Sequence, residues 1–111
     1  MEIVFKSKKL QDTCNLETKL RKQYGKVCAR KIRTRLDDLA AASTLEAFRT
    51  LSGRCHELKG NRKGQFSLDL EHPLRLIFEP TGEGVKMKDD GGLDWNSVKA
   101  VQINDVEDTH D

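Results

Sequence analysis

The sequence predicts an α+β fold in which two N-terminal helices pack on a mostly antiparallel sheet of four to five strands. Two observations predict it. Apolar residues recur at helical spacing through much of the first half, and the second half contains alternating segments separated by turn residues. The 111 residues suit one domain, 1–111, with a core of modest size. Because only 5% of the residues are aromatic, that core must be mainly aliphatic.

The N-terminal elements are a short strand and a helix. Residues 2–6 alternate, with Ile3 and Phe5 on one side. Ser7 is a suitable N-cap for a helix that runs as far as Tyr24 and Gly25, where the pattern breaks. We expect the inner face of this helix to carry Leu10, Cys14 and Leu20.

The second helix, over residues 26–42, is amphipathic and strongly basic. Its apolar stripe consists of Cys28, Ile32, Leu36, Leu39 and Ala40. Lys26, Arg30 and Arg33 lie opposite, and residues 19–35 contain eight basic side chains and no acidic one. Two interpretations stay open: a solvated helix face, or a surface that binds a phosphate backbone, which requires charge but no motif.

A basic loop and a hairpin follow. A capping box from Ser43 to Glu46 predicts a short helical turn, and residues 54–58 suit a strand. Residues 59–64 form a loop with three cations and two glycines. Two alternating strands then follow, connected at Pro73, with Arg75 the only charge in the run LRLIF. The three cations of the loop are Lys59, Arg62 and Lys63.

The C-terminal part is predicted to complete the sheet. Residues 81–94 are glycine-rich and polar, which is typical of a flexible loop, and Trp95 is expected to be partly buried. Residues 98–106 form the last strand. That strand carries residues 107–111, including Thr109 and His110, to the edge of the sheet.

Charge and cysteine content limit the class of protein. Residues 1–65 carry 16 Lys or Arg against 7 Asp or Glu, whereas residues 66–111 carry 4 against 11. This split predicts an anionic partner for one face, or salt bridges between the halves. Three unpaired cysteines favour a reducing compartment, and no signal peptide or membrane span is evident, so we expect a cytoplasmic protein.

The runs LKGNRKGQFSLDL and HPLRLIFEP, together with the ending VEDTHD, resemble the HigB-type (killer protein) branch of the RelE/ParE toxin superfamily. The resemblance implies a RelE-like fold and the toxin of a type II toxin–antitoxin system. Such toxins cleave mRNA on the translating ribosome without a metal or other cofactor. The implied partners are a HigA-like helix-turn-helix antitoxin, in a heterotetramer, and the ribosome with its mRNA.

The resemblance also implies the site. The catalytic residues would be Lys59, Arg75 and His110, with Thr109 in the position of the family's tyrosine. Arginine can hold a phosphate bidentately and stabilise charge on the phosphorane. Threonine cannot stack on a base, and it is a poorer proton donor than a phenol. The residues expected to bind RNA are Arg62, Lys63, Lys26, Arg30, Arg33 and Thr109.

Two other functions stay open. The chain could be a toxin that acts by binding, as the ParE branch does against DNA gyrase, and Thr109 favours this alternative. It could also be an RNA-binding co-repressor subunit that has lost the chemistry.

Overall fold

A computed structural model describes residues 1–51 and 54–108. The sheet consists of β1 (Glu2–Phe5), β2 (His56–Glu57), β3 (Phe66–Asp69), β4 (Leu74–Pro80) and β5 (Ala100–Asp108). The helices are α1 (Lys8–Asn15), α2 (Glu17–Tyr24), α3 (Lys26–Ala41) and α4 (Leu45–Phe48), with short 3₁₀ helices at Gly60–Arg62 and Trp95–Ser97. None of the helices in the described ranges is long and apolar enough to cross a membrane.

The five strands form one sheet in the order β1-β5-β4-β3-β2. The first strand runs parallel to the last, with Ile3 opposite Val101, and the other three pairings are antiparallel. The pairing of β4 with β5 contains an irregularity after Ile77. The predicted mostly antiparallel sheet is therefore confirmed.

The helices pack on one face of the sheet, which we call the inner face. Side chains alternate along the strands, so Phe66, Leu68 and Leu76 lie on this face with the buried residues of the helices. From the helices, α3 contributes Cys28, Ile32 and Leu36 to the same core. The rings of Phe66 and Phe78 stack with their centroids 5.5 Å apart, and Trp95 contacts Phe66 edge-on and is partly buried, as predicted.

The single helix predicted between Ser7 and Tyr24 is wrong in one respect: it is broken at Leu16. Six residues of a continuous helix rotate by about 240°, so Cys14 and Leu20 could not both face the core without a break. Leu16 adopts an extended conformation, with φ −122° and ψ 114°, and both side chains become buried. Arg33 donates from Nη1 to the carbonyl oxygen of Cys14 at 3.3 Å, which satisfies one carbonyl at the end of α1.

Two smaller predictions also need correction. The N-cap of α4 is Thr44 rather than Ser43, because the Thr44 hydroxyl accepts the backbone N–H of Ala47 at 3.2 Å. The loop over residues 81–94 contains a small hairpin. In it, Met87 and Leu93 form an antiparallel β-bridge, and the N–H of Asp94 donates to the carbonyl oxygen of Lys86 at 2.9 Å.

Candidate functional site

The face of the sheet opposite the helices, which we call the outer face, carries the candidate arginine. Strand register places Ser67, Ile77 and Asp105 in one row across β3, β4 and β5. The next row consists of Asp69, Arg75 and Glu107. Both rows lie on the outer face because they alternate with the core residues. Ser67 and Ile77 are almost completely buried there.

Arg75 is bound by the strand beside it. Its Nε lies 2.9 Å from Oδ1 of Asp69, its cross-strand neighbour on β3, and the two side chains are 22% and 28% exposed. A longer contact of 3.9 Å joins Arg54 to the other oxygen of Asp69. The guanidinium of Arg75 is therefore partly buried and neutralised by a carboxylate.

Arg62 reaches the same face from the loop before β3. It donates from Nη1 to a carboxylate oxygen of Glu107 on β5, and from Nε and Nη2 to the side-chain oxygen of Gln65 at 3.1 and 2.9 Å. Since Glu107 lies opposite Arg75, the structure brings Arg62 and Arg75 to one carboxylate-bearing row. These two predicted residues are close together.

Lys59 and Lys63 lie at the other end of β3. Leu58 donates its N–H to the carbonyl of Gln65, and Gln65 precedes Asp69 by four residues, or about 13 Å along the strand. Both lysines are exposed, and neither side chain has a hydrogen bond or ion pair within residues 1–51 and 54–108. Lys59 therefore shares the loop that carries Arg62, but it does not lie beside Arg75.

Thr109 and His110 lie outside the described residues. The last described residue, Asp108, pairs with Leu74, one position before Arg75. The roles predicted for Thr109 and His110 stay predictions.

The basic residues of α3 lie on the other side of the sheet. Together with Arg21 of α2, Lys26, Arg30 and Arg33 line a groove of about 390 Å³ between α2 and α3. Arg33 is partly engaged, because its guanidinium bonds Asp37 at 3.0 Å as well as the Cys14 carbonyl. Since α3 packs on the inner face, this groove is separated from Arg75 by the sheet.

His56 is a candidate that the sequence interpretation missed. It lies on β2 opposite Ser67, so it shares the outer face with Arg75. Its Nδ1 lies 3.0 Å from the carbonyl of Arg54, and its Nε2 lies 3.2 Å from the hydroxyl of Ser67. A proton on Nδ1 satisfies both contacts and leaves Nε2 as an acceptor. Alternation over residues 56–58 was the sequence signal that places His56 on one face of a strand. Because β2 has only two residues, that signal is weak.

Burial raises the pKa values of the three cysteines and of Tyr24. It raises the pKa of Cys14 to about 11 and that of Cys55 to about 12, and it also raises the pKa of Cys28. The pKa of Tyr24 is raised by burial and by the nearby Cys14 and Asp105. The thiols are therefore protonated near neutral pH and are poor nucleophiles.

Comparisons with known structures agree on the fold. A YoeB/ParE toxin from Agrobacterium tumefaciens superposes with a TM-score of 0.59 at 15% identity, covering 99% of this chain and 100% of the other. A YoeB dimer from Staphylococcus aureus gives a TM-score of 0.56 at 21% identity, covering 99% and 98%. Neither a protein-family model nor a curated protein sequence matches the chain. The chain therefore has the fold of YoeB/ParE toxins.

Proposed function

We propose that this protein is the toxin of a type II toxin–antitoxin system and cleaves mRNA on the ribosome, in the manner of the HigB branch. Its antitoxin would be a small helix-turn-helix protein of the HigA type. The observation that carries the proposal is the pair of arginines, Arg62 and Arg75, on one face of a YoeB/ParE-like sheet. The sequence resemblance assigns a catalytic role to Arg75.

The chemistry of the outer face supports RNA cleavage through the 2′-hydroxyl. Arg75 binds the scissile phosphate in place of Asp69 and stabilises the charge that develops on it. Arg62 and the exposed Lys59 neutralise neighbouring phosphates. The resemblance assigns the acid and base roles to Lys59 and His110.

His56 adds a third proton-transfer group to Lys59 and His110. Its Nε2 accepts from Ser67, a hydroxyl that is 1% exposed and therefore not itself available to RNA. Rotation of the exposed imidazole away from Ser67 would present Nε2 to a substrate hydroxyl. The proposed site consequently has two histidines that can be tested separately.

Induced expression in a bacterial host tests the proposal. The wild-type chain should arrest growth, and primer extension should reveal new mRNA 5′ ends within translated codons. Arg75→Ala and Lys59→Ala should relieve arrest, whereas Lys88→Ala, which removes an exposed lysine from the distant hairpin, should not. Both site variants remaining fully toxic while folded would contradict the proposed site. Coexpression with the product of a neighbouring helix-turn-helix reading frame should restore growth.

A second candidate function is inhibition of DNA gyrase by binding. It is favoured by the carboxylates on Arg75 and Arg62, which reduce the positive charge available to RNA, and by the absence of tyrosine at position 109. Intact transcripts together with DNA damage in arrested cells would support it. Growth that is unaffected by stable accumulation of the chain would instead indicate the co-repressor function.

A further inference from the structure

A second polar cavity lies on the helix side of the sheet, where β5 extends beyond the end of β1. It forms where β1 ends, α1 begins, α2 ends and the pairing of β5 with β4 is irregular. Its volume is about 360 Å³, within the range of small-molecule pockets. The cavity, which we call the lysine pocket, is lined by Lys6, Ser7, Lys9, Leu10, Thr13, Gln23, Tyr24, Asn104 and Asp105.

Two lysines give the pocket its charge. Lys6 and Lys9 are exposed, and neither ammonium has a hydrogen bond or ion pair to the residues that the structure describes. Lys8, the residue before Lys9, does not line the pocket and contacts Asp12 at 3.5 Å. Asp105 is the one acidic lining residue, so the formal charge of the pocket is +1. The free ammonium groups therefore favour an anion.

The remaining polar groups suit a nucleotide rather than a bare anion. Tyr24 carries a phenolic proton, whose pKa burial raises further above neutral pH, and its oxygen lies 3.4 Å from the side-chain amide nitrogen of Gln23. Asp105 accepts the N–H of Val106 through one oxygen, at 2.8 Å. Its carboxylate can accept from an exocyclic amino group of a base.

The pocket adjoins the proposed catalytic row. Asp105 precedes Glu107 by two residues on β5, a distance of about 7 Å. The two carboxylates lie opposite Ile77 and Arg75 respectively. Asn104, which lines the pocket, also donates to Glu79 of the outer face at 3.0 Å. An RNA strand that passes Arg75 can therefore continue along β5 and reach the lysine pocket around the edge of that strand, which β1 does not cover beyond Ile103.

We propose that the lysine pocket binds the nucleotide adjacent to the one held by Arg75, with Lys6 and Lys9 on its phosphate. The proposal rests on the proposed function for the path of the RNA, and it extends the site to residues that the sequence motifs did not include. Asn104 and Asp105 contact the base.

Matched lysine variants test this site. A fluorescently labelled 2′-O-methyl RNA hexanucleotide, which cannot be cleaved through its 2′-oxygen, is titrated with wild-type protein, Lys9→Ala and Lys8→Ala. Lys9→Ala should weaken binding by up to about fivefold, the size expected of one exposed ionic contact. It should also reduce the slope of log affinity against log salt by about 0.7, the loss of one phosphate contact on a single strand. Lys8→Ala removes the same charge outside the pocket and should change neither quantity.

A second measurement separates a nucleotide from a simple anion. Cytidine 5′-monophosphate, whose base carries an exocyclic amino group, and inorganic phosphate are titrated separately into isotope-labelled wild-type protein and followed by NMR. The nucleotide should shift the amide signals of Lys9, Asn104 and Asp105 at lower concentration than phosphate does. Equal potency of the two ligands would overturn the assignment of the base contacts.

The outcomes also separate this inference from the proposed function. If Lys9→Ala and Lys8→Ala weaken RNA binding equally, in a protein that cleaves mRNA in cells, the assignment of the lysine pocket as a nucleotide site is overturned and the nuclease proposal stands. A clear difference between the two variants, in a protein that leaves cellular transcripts intact, would support a nucleotide site while overturning the nuclease proposal.

Discussion

The ion pair between Asp69 and Arg75 should contribute measurably to stability, and a double-mutant cycle can measure it. The variants are Asp69→Ala, Arg75→Ala and the double variant. At 2.9 Å and an effective dielectric constant of about 20, the Coulomb attraction is about 6 kcal/mol. Desolvation of two side chains that are only 22% and 28% exposed cancels most of it. We therefore expect a coupling energy of about 1.5 kcal/mol, in the range for charged hydrogen bonds.

The coupling energy is obtained from urea denaturation at neutral pH, followed by circular dichroism. Arg54 is present in all four proteins, and its 3.9 Å contact involves a side chain that is 83% exposed, so it should not obscure the cycle. A coupling energy below about 0.3 kcal/mol, the usual error of such cycles, would refute the reasoning that partial burial strengthens this pair.

The same pair should oppose RNA binding, because a phosphate must displace Asp69 from Arg75. Asp69→Ala should therefore tighten binding of a non-cleavable RNA by up to about tenfold, the equivalent of 1.4 kcal/mol. The gain should disappear when Arg75→Ala is added. Unchanged or weaker binding by Asp69→Ala would indicate that Arg75 does not contact RNA.

Two further predictions concern stability. Thr44→Ala should lower the free energy of unfolding by about 1 kcal/mol because it removes the N-cap of α4, whereas Ser43→Ala should have little effect; equal losses in thermal denaturation would contradict this assignment. For Cys14, burial raises the pKa from 9.0 to about 11, so the folded state retains its proton longer than the unfolded state as pH rises. The contribution of the Cys14 thiol to the free energy of unfolding should be fully present below pH 9 and should decrease between pH 9 and 11 by at most about 2.7 kcal/mol. In urea denaturation across that range, Cys14→Ala should show a shallower decrease in the free energy of unfolding.

Much of the sheet could be predicted because short-range patterns determine it. The turn centred on His72 places Asp69 opposite Arg75, so even that ion pair follows from the hairpin register. The break at Leu16 also has a sequence signal, since the spacing of Cys14 and Leu20 does not fit one helix face. Polarity alone does not reveal this break, because it does not record the angle between Cys14 and Leu20 around the helix axis.

The contacts that neutralise and extend the site could not be predicted in the same way. Arg62 and Glu107 are 45 residues apart, and their contact depends on how the loop before β3 folds over the sheet. The lysine pocket combines residues from α1, α2, β5 and the connection between β1 and α1, and they do not form a local motif. Such combinations depend on tertiary packing, which periodicity does not encode.

The parallel pairing of the first and last strands has a consequence for synthesis. Among the described residues, β1 pairs in the sheet with residues 100–103 of β5 alone, so it stays without a neighbouring strand until those residues have been translated. At about 5–20 residues per second, that interval is of the order of 5–20 s. In the nascent polypeptide, Ile3 and Phe5 consequently lack their partner strand until residues 100–103 have been made, and the five-stranded sheet can assemble only after that point.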